Sequence, residues 1–140
     1  MTRFNEFIGI WRHKKAFLKV RNSNAALKKH ISLWRCLVHD LGKSINVILL
    51  GDKLATKIHR NLAGHHNFRS TKDKWEAYCD WECARFTKPE KPLNGYETWK
   101  RYYDWLYMDE IASEFEQATH VLQEIPLRGL NTHYGLTFIN

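Results

Sequence analysis

"WRCLVHDLGKSI", residues 34–45, runs from apolar side chains straight into an adjacent His39–Asp40 pair and closes with Gly42 and Lys43. Leu27, Ile31, Trp34, Leu37 and Val38 recur at intervals of three and four, the period of one helix face. The spacing predicts a helix from about Ala25 to His39, with these residues pointing inward and Gly42 as the C-terminal stop. The last turn of that helix then carries an imidazole and a carboxylate to the edge of a core. Buried charge of this kind is costly unless it is paired or holds a cation.

Working outward, residues 3–21 read as a helix with two apolar stripes: Phe4, Phe7, Ile8 and Trp11, then Ile10, His13, Phe17 and Val20. Such a helix is covered on two sides, with His13 on a mainly buried face. "NSN" at 22–24 is a break followed by an N-cap. Residues 45–62 suit one helix, with Val47, Ile48, Leu50, Leu54 and Ile58 inward and Gly51 as a soft spot or a break. "AGHHNFRST" reads as a loop. Ser70 or Thr71 caps a fourth helix to about Phe86, with Trp75, Tyr78, Cys79 and Glu82 along one side. Asp80 falls on a neighbouring stripe with Ala77 and Ala84.

After the Pro-containing "TKPEKPLNG", a fifth helix is expected over 96–107 and a sixth over 109–124, the latter facing inward with Ile111, Phe115, Ala118, Leu122 and Ile125. Tyr96, Trp99, Tyr103 and Leu106 form an amphipathic stripe suited to core packing or a dimer contact rather than to base stacking. Pro126 ends the last helix, and 126–140 reads as a tail packed on the domain. No segment alternates as a strand does. The expected fold is therefore all-α, a compact single-domain bundle of five or six helices over residues 1–140.

The chain has 140 residues, an apolar fraction of 44% and an aromatic fraction of 14%, enough for one core. Its formal charge of +7 favours an anionic partner. No helix-turn-helix, zinc-finger or arginine-rich signature turns that charge toward nucleic acid, so a nucleotide-like small molecule is the preferred partner. Self-association stays open. No segment approaches the ~20 apolar residues of a membrane span, and "MTRFNEFIGIWRHKK" lacks a leader's apolar stretch, so a cytoplasmic setting is expected. Three cysteines, Cys36, Cys79 and Cys83, lack CxxC spacing and read as buried free thiols.

Across this helical chain lie His13, His39–Asp40, His59, His65–His66 and Asp80. Imidazole nitrogen and carboxylate oxygen are natural ligands of divalent transition metals, and an aspartate can bridge two ions through its two oxygens. "LVHDLGK" resembles the signature of the HD superfamily, in which metal-dependent phosphohydrolases predominate. In that superfamily an upstream His, the His-Asp pair and a downstream Asp, each from a different helix, surround one metal; His13, His39, Asp40 and Asp80 occur here in that order. The wider run is similar to a short phage and bacterial HD-like family, through "WRHKK", "VHDLGK", "HRNLAGHH" and "CDWECARF" over about residues 11–105.

The resemblance implies one or two divalent ions (Mn, Fe, Zn, Ni or Co) held by His13, His39, Asp40, His59, His65, His66 and Asp80. Dinuclear relatives space the third His and the HH pair further apart than "HRNLAGHH" does, so which of His59, His65 and His66 ligate is left open. There is no GYP sequence, only "GYET". The implied activity is hydrolysis of a phosphate ester or anhydride by a metal-activated water. Asp40, Lys43, His65 and His66 are the catalytic candidates, and Lys14, Lys43, Arg60 and Asn61 the candidate substrate contacts. Two alternatives share the sequence: a mixed-valent di-iron oxygenase on the same scaffold, and a non-enzymatic binding protein stabilised by metal. A host cytoplasm is implied if the chain is phage-encoded.

Overall fold

Nine helices and no strand occupy the described residues of the computed structural model, which are 2–88, 90 and 93–123, the side chains of 120–123 excepted. They are α1 (Arg3–Ser23), α2 (Ala25–His30), α3 (Leu33–Val38), α4 (Leu41–Leu50), α5 (Asp52–Leu62), α6 (Gly64–Asn67), α7 (Thr71–Thr87), α8 (Gly95–Tyr102) and α9 (Asp109–Gln123). The all-α expectation holds, with more and shorter helices than the periodicity suggested. The tail expected at 126–140, and the inward positions assigned to Leu122 and Ile125, lie outside the described residues. No helix among the described residues is long and apolar enough to cross a membrane.

Two long helices, α1 and α7, form the centre. Ala16, Phe17 and Val20 of α1 pack in one apolar cluster with Ala77, Tyr78, Cys79 and Cys83 of α7, joined by Leu27 and Ile31 from α2 and by Ile111 and Phe115 from α9. Small side chains at Ala16, Ala77 and Cys79 allow the two helices to approach, and the buried Cys79 thiol lies 3.8 Å from the Phe17 carbonyl. Full burial of a side chain such as Phe17 stabilises the fold by roughly 1.5–3 kcal/mol. A second, smaller cluster of Ile10, Val47 and Ala55 ties the N-terminal half of α1 to α4 and α5. His13 lies one turn from each cluster, between Ile10 and Phe17. All three cysteines are buried and free, as expected.

Polar caps divide the chain where apolar spacing alone does not. Asn24 accepts from the amides of Ala26 and Leu27, and its own amide donates to the Phe115 carbonyl and Thr119 Oγ1, fixing α9 on the α1–α2 corner. Ser70 caps α7, and Asn94 caps α8.

The helix expected over 25–39 is interrupted. Ile31 is extended, Ser32 caps a new helix, and Arg21 donates to the carbonyls of Lys28 and Ile31 that the break releases. The rotation at this break turns Trp34 and Leu37 outward, to 70% and 51% exposure, and leaves Val38 partly exposed. Their inward assignment is thus corrected.

Gly42 is not the stop either. Asp40 takes the left-handed conformation at φ 56°, and Gly42 sits inside α4. The helix expected over 45–62 starts earlier and divides at Gly51 (φ 86°), so Ile48, Leu50 and Leu54 are exposed rather than inward. The loop after α5 contains the single turn α6. The fifth helix ends at Tyr102, after which Trp99 Nε1 donates to the Leu106 carbonyl at 2.8 Å and seats Leu106 and Met108 in the core.

Candidate metal centre

Helix α7 sets the floor of the site. Asp73, Glu76, Asp80, Cys83 and Thr87 recur at steps of three and four, one polar stripe along a largely buried helix. Three other segments meet this stripe: α1 with His13, the α3–α4 junction with His39 and Asp40, and α5–α6 with His59, His65 and His66.

The histidines point their Nε2 atoms at the same carboxylates. His13 Nε2 lies 2.6 Å from Asp80 Oδ1, and His39 Nε2 lies 3.5 Å from the same oxygen. Asp40 Oδ1 lies 2.8 Å from His59 Nε2 and 3.8 Å from both His39 Nε2 and His65 Nε2. The opposite edges of these rings are occupied. Both His39 Nδ1 and His65 Nδ1 donate to Glu76 Oε1, at 3.0 and 3.2 Å, and His13 Nδ1 faces Thr87 Oγ1 at 3.4 Å. Phe17 stacks flat on the His39 ring at 4.0 Å, which holds that imidazole in its plane. His66 completes the cluster, 4.2 Å from His65 and 4.9 Å from His59 between ring centroids.

Electrostatics are dominated by these contacts. Burial pulls His39 down, but the adjacent Asp40, Asp80 and Glu76 outweigh it and raise its pKa to about 10. Burial pushes Asp40 up, and His39 and His59 reverse this and hold it well below the usual carboxylate range. Asp80 behaves likewise, its burial overcome by His13 and His39. Glu76 is lowered to about 2, because hydrogen bonds from His39 and His65 exceed its desolvation. His66 goes the other way: burial and the neighbouring His65 lower it to about 4, so it is neutral at pH 7 and offers a lone pair.

Do these residues fit a cation? His39 Nε2 and His65 Nε2 are both buried and lack a hydrogen-bond partner among the described residues. Native interiors rarely leave such atoms unmatched. Here two imidazole nitrogens share that state, each 3.8 Å from the same carboxylate oxygen, Asp40 Oδ1. His59, His65 and His66 form one set of close donors, and His13, His39 and Asp40 another. Asp40 lies between the two sets, so the arrangement fits one divalent ion or two. Asp40 also holds its left-handed backbone, which disfavours most side chains by on the order of 1 kcal/mol and recurs at functional positions.

A cavity of about 310 Å³ opens beside these atoms, lined by His39, Asp40, His59 and His65, by Lys43 and Asn46 of α4, and by Val38, Ile58 and Leu62. Lys43 therefore stands where a bound anion would meet it. Arg60 and Asn61, by contrast, are exposed and outside this lining, and Asn67 donates to both of their carbonyls. Lys14 is buried; its Nζ donates to the Leu37 carbonyl and lies 4.6 Å from the Trp11 ring, so it caps α3 rather than facing the cavity. None of these three candidate substrate contacts lines the cavity.

Sequence reasoning missed Asn46, Glu76 and Arg35. Glu76 was accessible in principle, since it precedes Asp80 by one helical turn on the same face. Arg35 carried no signal of its own. No family model, curated protein or solved structure matches the chain.

Proposed function

We propose that the chain is a metal-dependent phosphohydrolase acting on a phosphate ester or anhydride of nucleotide type. One observation carries the reading: the unpartnered buried nitrogens of His39 and His65 face Asp40 beside a cavity that also presents a lysine. The resemblance of "LVHDLGK" to the HD signature agrees with it. His13, His39, Asp40 and Asp80 would hold one ion, and His59, His65 and His66, with Asp40 shared, a second. When bound here, a divalent cation supplies Lewis acidity, acidifying a water and neutralising phosphoryl charge.

The remaining chemistry belongs to the chain. Lys43 attracts the phosphoryl oxygens and offsets charge that builds as the P–O bond to the leaving group breaks. Asn46 donates to the same group and orients it. Val38, Ile58 and Leu62 offer an apolar wall to a base or sugar, and a cavity of about 310 Å³ falls at the small end of ligand sites.

The test is release of inorganic phosphate from a panel of nucleotides by protein loaded in turn with Mn, Fe, Zn, Ni and Co. Activity with at least one metal, abolished in Asp40→Asn and weakened through KM in Lys43→Ala, is expected. Fully loaded protein that releases no phosphate overturns the hydrolase reading. Oxygen consumption by the iron-loaded form would transfer it to the di-iron oxygenase.

A further inference from the structure

Behind the centre, one guanidinium reaches across to two carboxylates of α7. Arg35 Nη1 donates to Glu76 Oε2 at 2.8 Å and to Asp73 Oδ1 at 3.2 Å, and Nη2 donates to Asp73 Oδ1 at 3.1 Å. The other oxygen of Glu76 accepts from Nδ1 of both His39 and His65. Asp73 presses against the first residue of α6: a Cβ at Gly64 would stand 2.6 Å from Asp73 Oδ1. Arg35, Glu76 and Asp73 thus connect α3, α7 and the turn that carries His65.

We propose that Glu76, clamped by Arg35, is the positioning residue of the centre, holding His39 and His65 with Nδ1 protonated so that both Nε2 lone pairs face Asp40. The inference rests on the metal reading above and adds what orients the ligands. Chemistry supports it. A carboxylate accepts and never donates, so each ring that bonds it must carry its proton on Nδ1. Only Nε2 then remains to ligate, and on both rings that atom is buried without a partner. Glu76 is a poor ligand itself, because its free oxygen is taken by Arg35 and a cation placed there would meet the guanidinium. Outer carboxylates that orient ligating histidines commonly govern metal affinity by 10–100-fold.

The experiment titrates purified full-length protein with Zn²⁺ against a chelating dye, for the wild type, Glu76→Gln, Arg35→Met and the double variant. Each single variant is expected to weaken zinc binding by about 10–100-fold at unchanged stoichiometry. The double should be little worse than Glu76→Gln alone, since Arg35 acts through Glu76. Imidazole ¹⁵N spectra should show a proton on Nδ1 of His39 and His65 in wild-type protein, zinc-loaded and metal-free alike, and its loss from at least one ring in Glu76→Gln. Should Glu76→Gln not fold, Arg35→Lys, which keeps the charge but not the fork, carries the test with a smaller loss.

Unchanged affinity in Glu76→Gln overturns the proposal, as does loss of a whole zinc equivalent, which would make Glu76 a ligand. Additive effects of the two substitutions overturn the role of Arg35. If wild-type protein takes no zinc, the metal reading falls by itself, and the Nδ1 proton of His65 in metal-free protein still decides whether Glu76 orients the ring.

Discussion

Helix α7 and the α3–α4 segment invert the usual rule of burial. Asp73, Glu76 and Glu82 of α7 are buried, while Trp34 of α3 and Leu49 of α4 stand 70% and 65% exposed. The difference has a physical source. Each α7 carboxylate has a partner within hydrogen-bond reach: Arg35, the histidine Nδ1 atoms or the Gly95 amide. The α3–α4 segment spends inward positions on His39, Asp40 and Ser44 beside Cys36 and Val47, so most of its large apolar side chains point elsewhere. The interior is organised around a polar centre, and hydrophobic periodicity indicates burial only where that centre is absent.

The largest test of this contrast replaces a buried carboxylate with an apolar side chain. Glu76→Leu is expected to cost about 3–5 kcal/mol in urea unfolding of metal-free protein, because Arg35 and two imidazoles lose their acceptor. A neutral or stabilising result would mean that the stripe is ordinary core with replaceable polarity. Gly64→Ala comes next. Its Cβ would collide with an Asp73 carboxylate that Arg35 holds in place, so a loss of about 1–3 kcal/mol is expected.

On the other side of the contrast, Trp34→Gln and Leu49→Gln should each shift stability by no more than about 0.5 kcal/mol, as exposed positions do. A loss above about 2 kcal/mol at either position would show that the α3–α4 face is covered in solution. The smallest effect belongs to a pair remote from the centre. Burial pushes Glu114 up slightly, but hydrogen bonds from His30 and Lys29 hold it below its ordinary 4.5. A lowered carboxylate stabilises above its unfolded value and loses that contribution as pH falls through the folded one. Wild type and Glu114→Gln should therefore differ in melting temperature at pH 7 and converge as acidification from the ordinary 4.5 passes the lowered folded value.

How much of this was legible in the sequence follows from the same contrast. The helix content, the inward stripe of Ile10, His13, Phe17 and Val20 on α1 and the Ser70 cap came from periodicity and capping residues, whereas the other stripe expected on α1 stays outside, with Phe4 and Trp11 65% and 40% exposed. The set of His13, His39, Asp40, His59, His65, His66 and Asp80 came from the resemblance to the HD signature, which left open which of His59, His65 and His66 ligate. What stayed hidden were the breaks at Ile31–Ser32 and Asp40. Apolar spacing runs straight through the first, and at the second a left-handed aspartate does the work expected of Gly42. Those breaks decide which way Trp34 and Leu37 face. Arg35 was illegible for a related reason: a single arginine on a short helix looks solvated until its carboxylate partners are placed. Lys14, Arg60 and Asn61 neighbour site residues in sequence but stand outside the cavity lining, because adjacent residues on a helix point in different directions.

The central claim is that the buried imidazoles and carboxylates exist to hold metal. It is tested most directly by plasma mass spectrometry of the purified protein, wild type beside Asp40→Asn. Asparagine is chosen because it tolerates the left-handed backbone at position 40 while removing the charge. The account predicts one or two equivalents of a divalent transition metal per chain in the wild type and a clear loss in the variant. A wild-type chain that stays metal-free even after reconstitution with Mn, Fe, Zn, Ni and Co would contradict it.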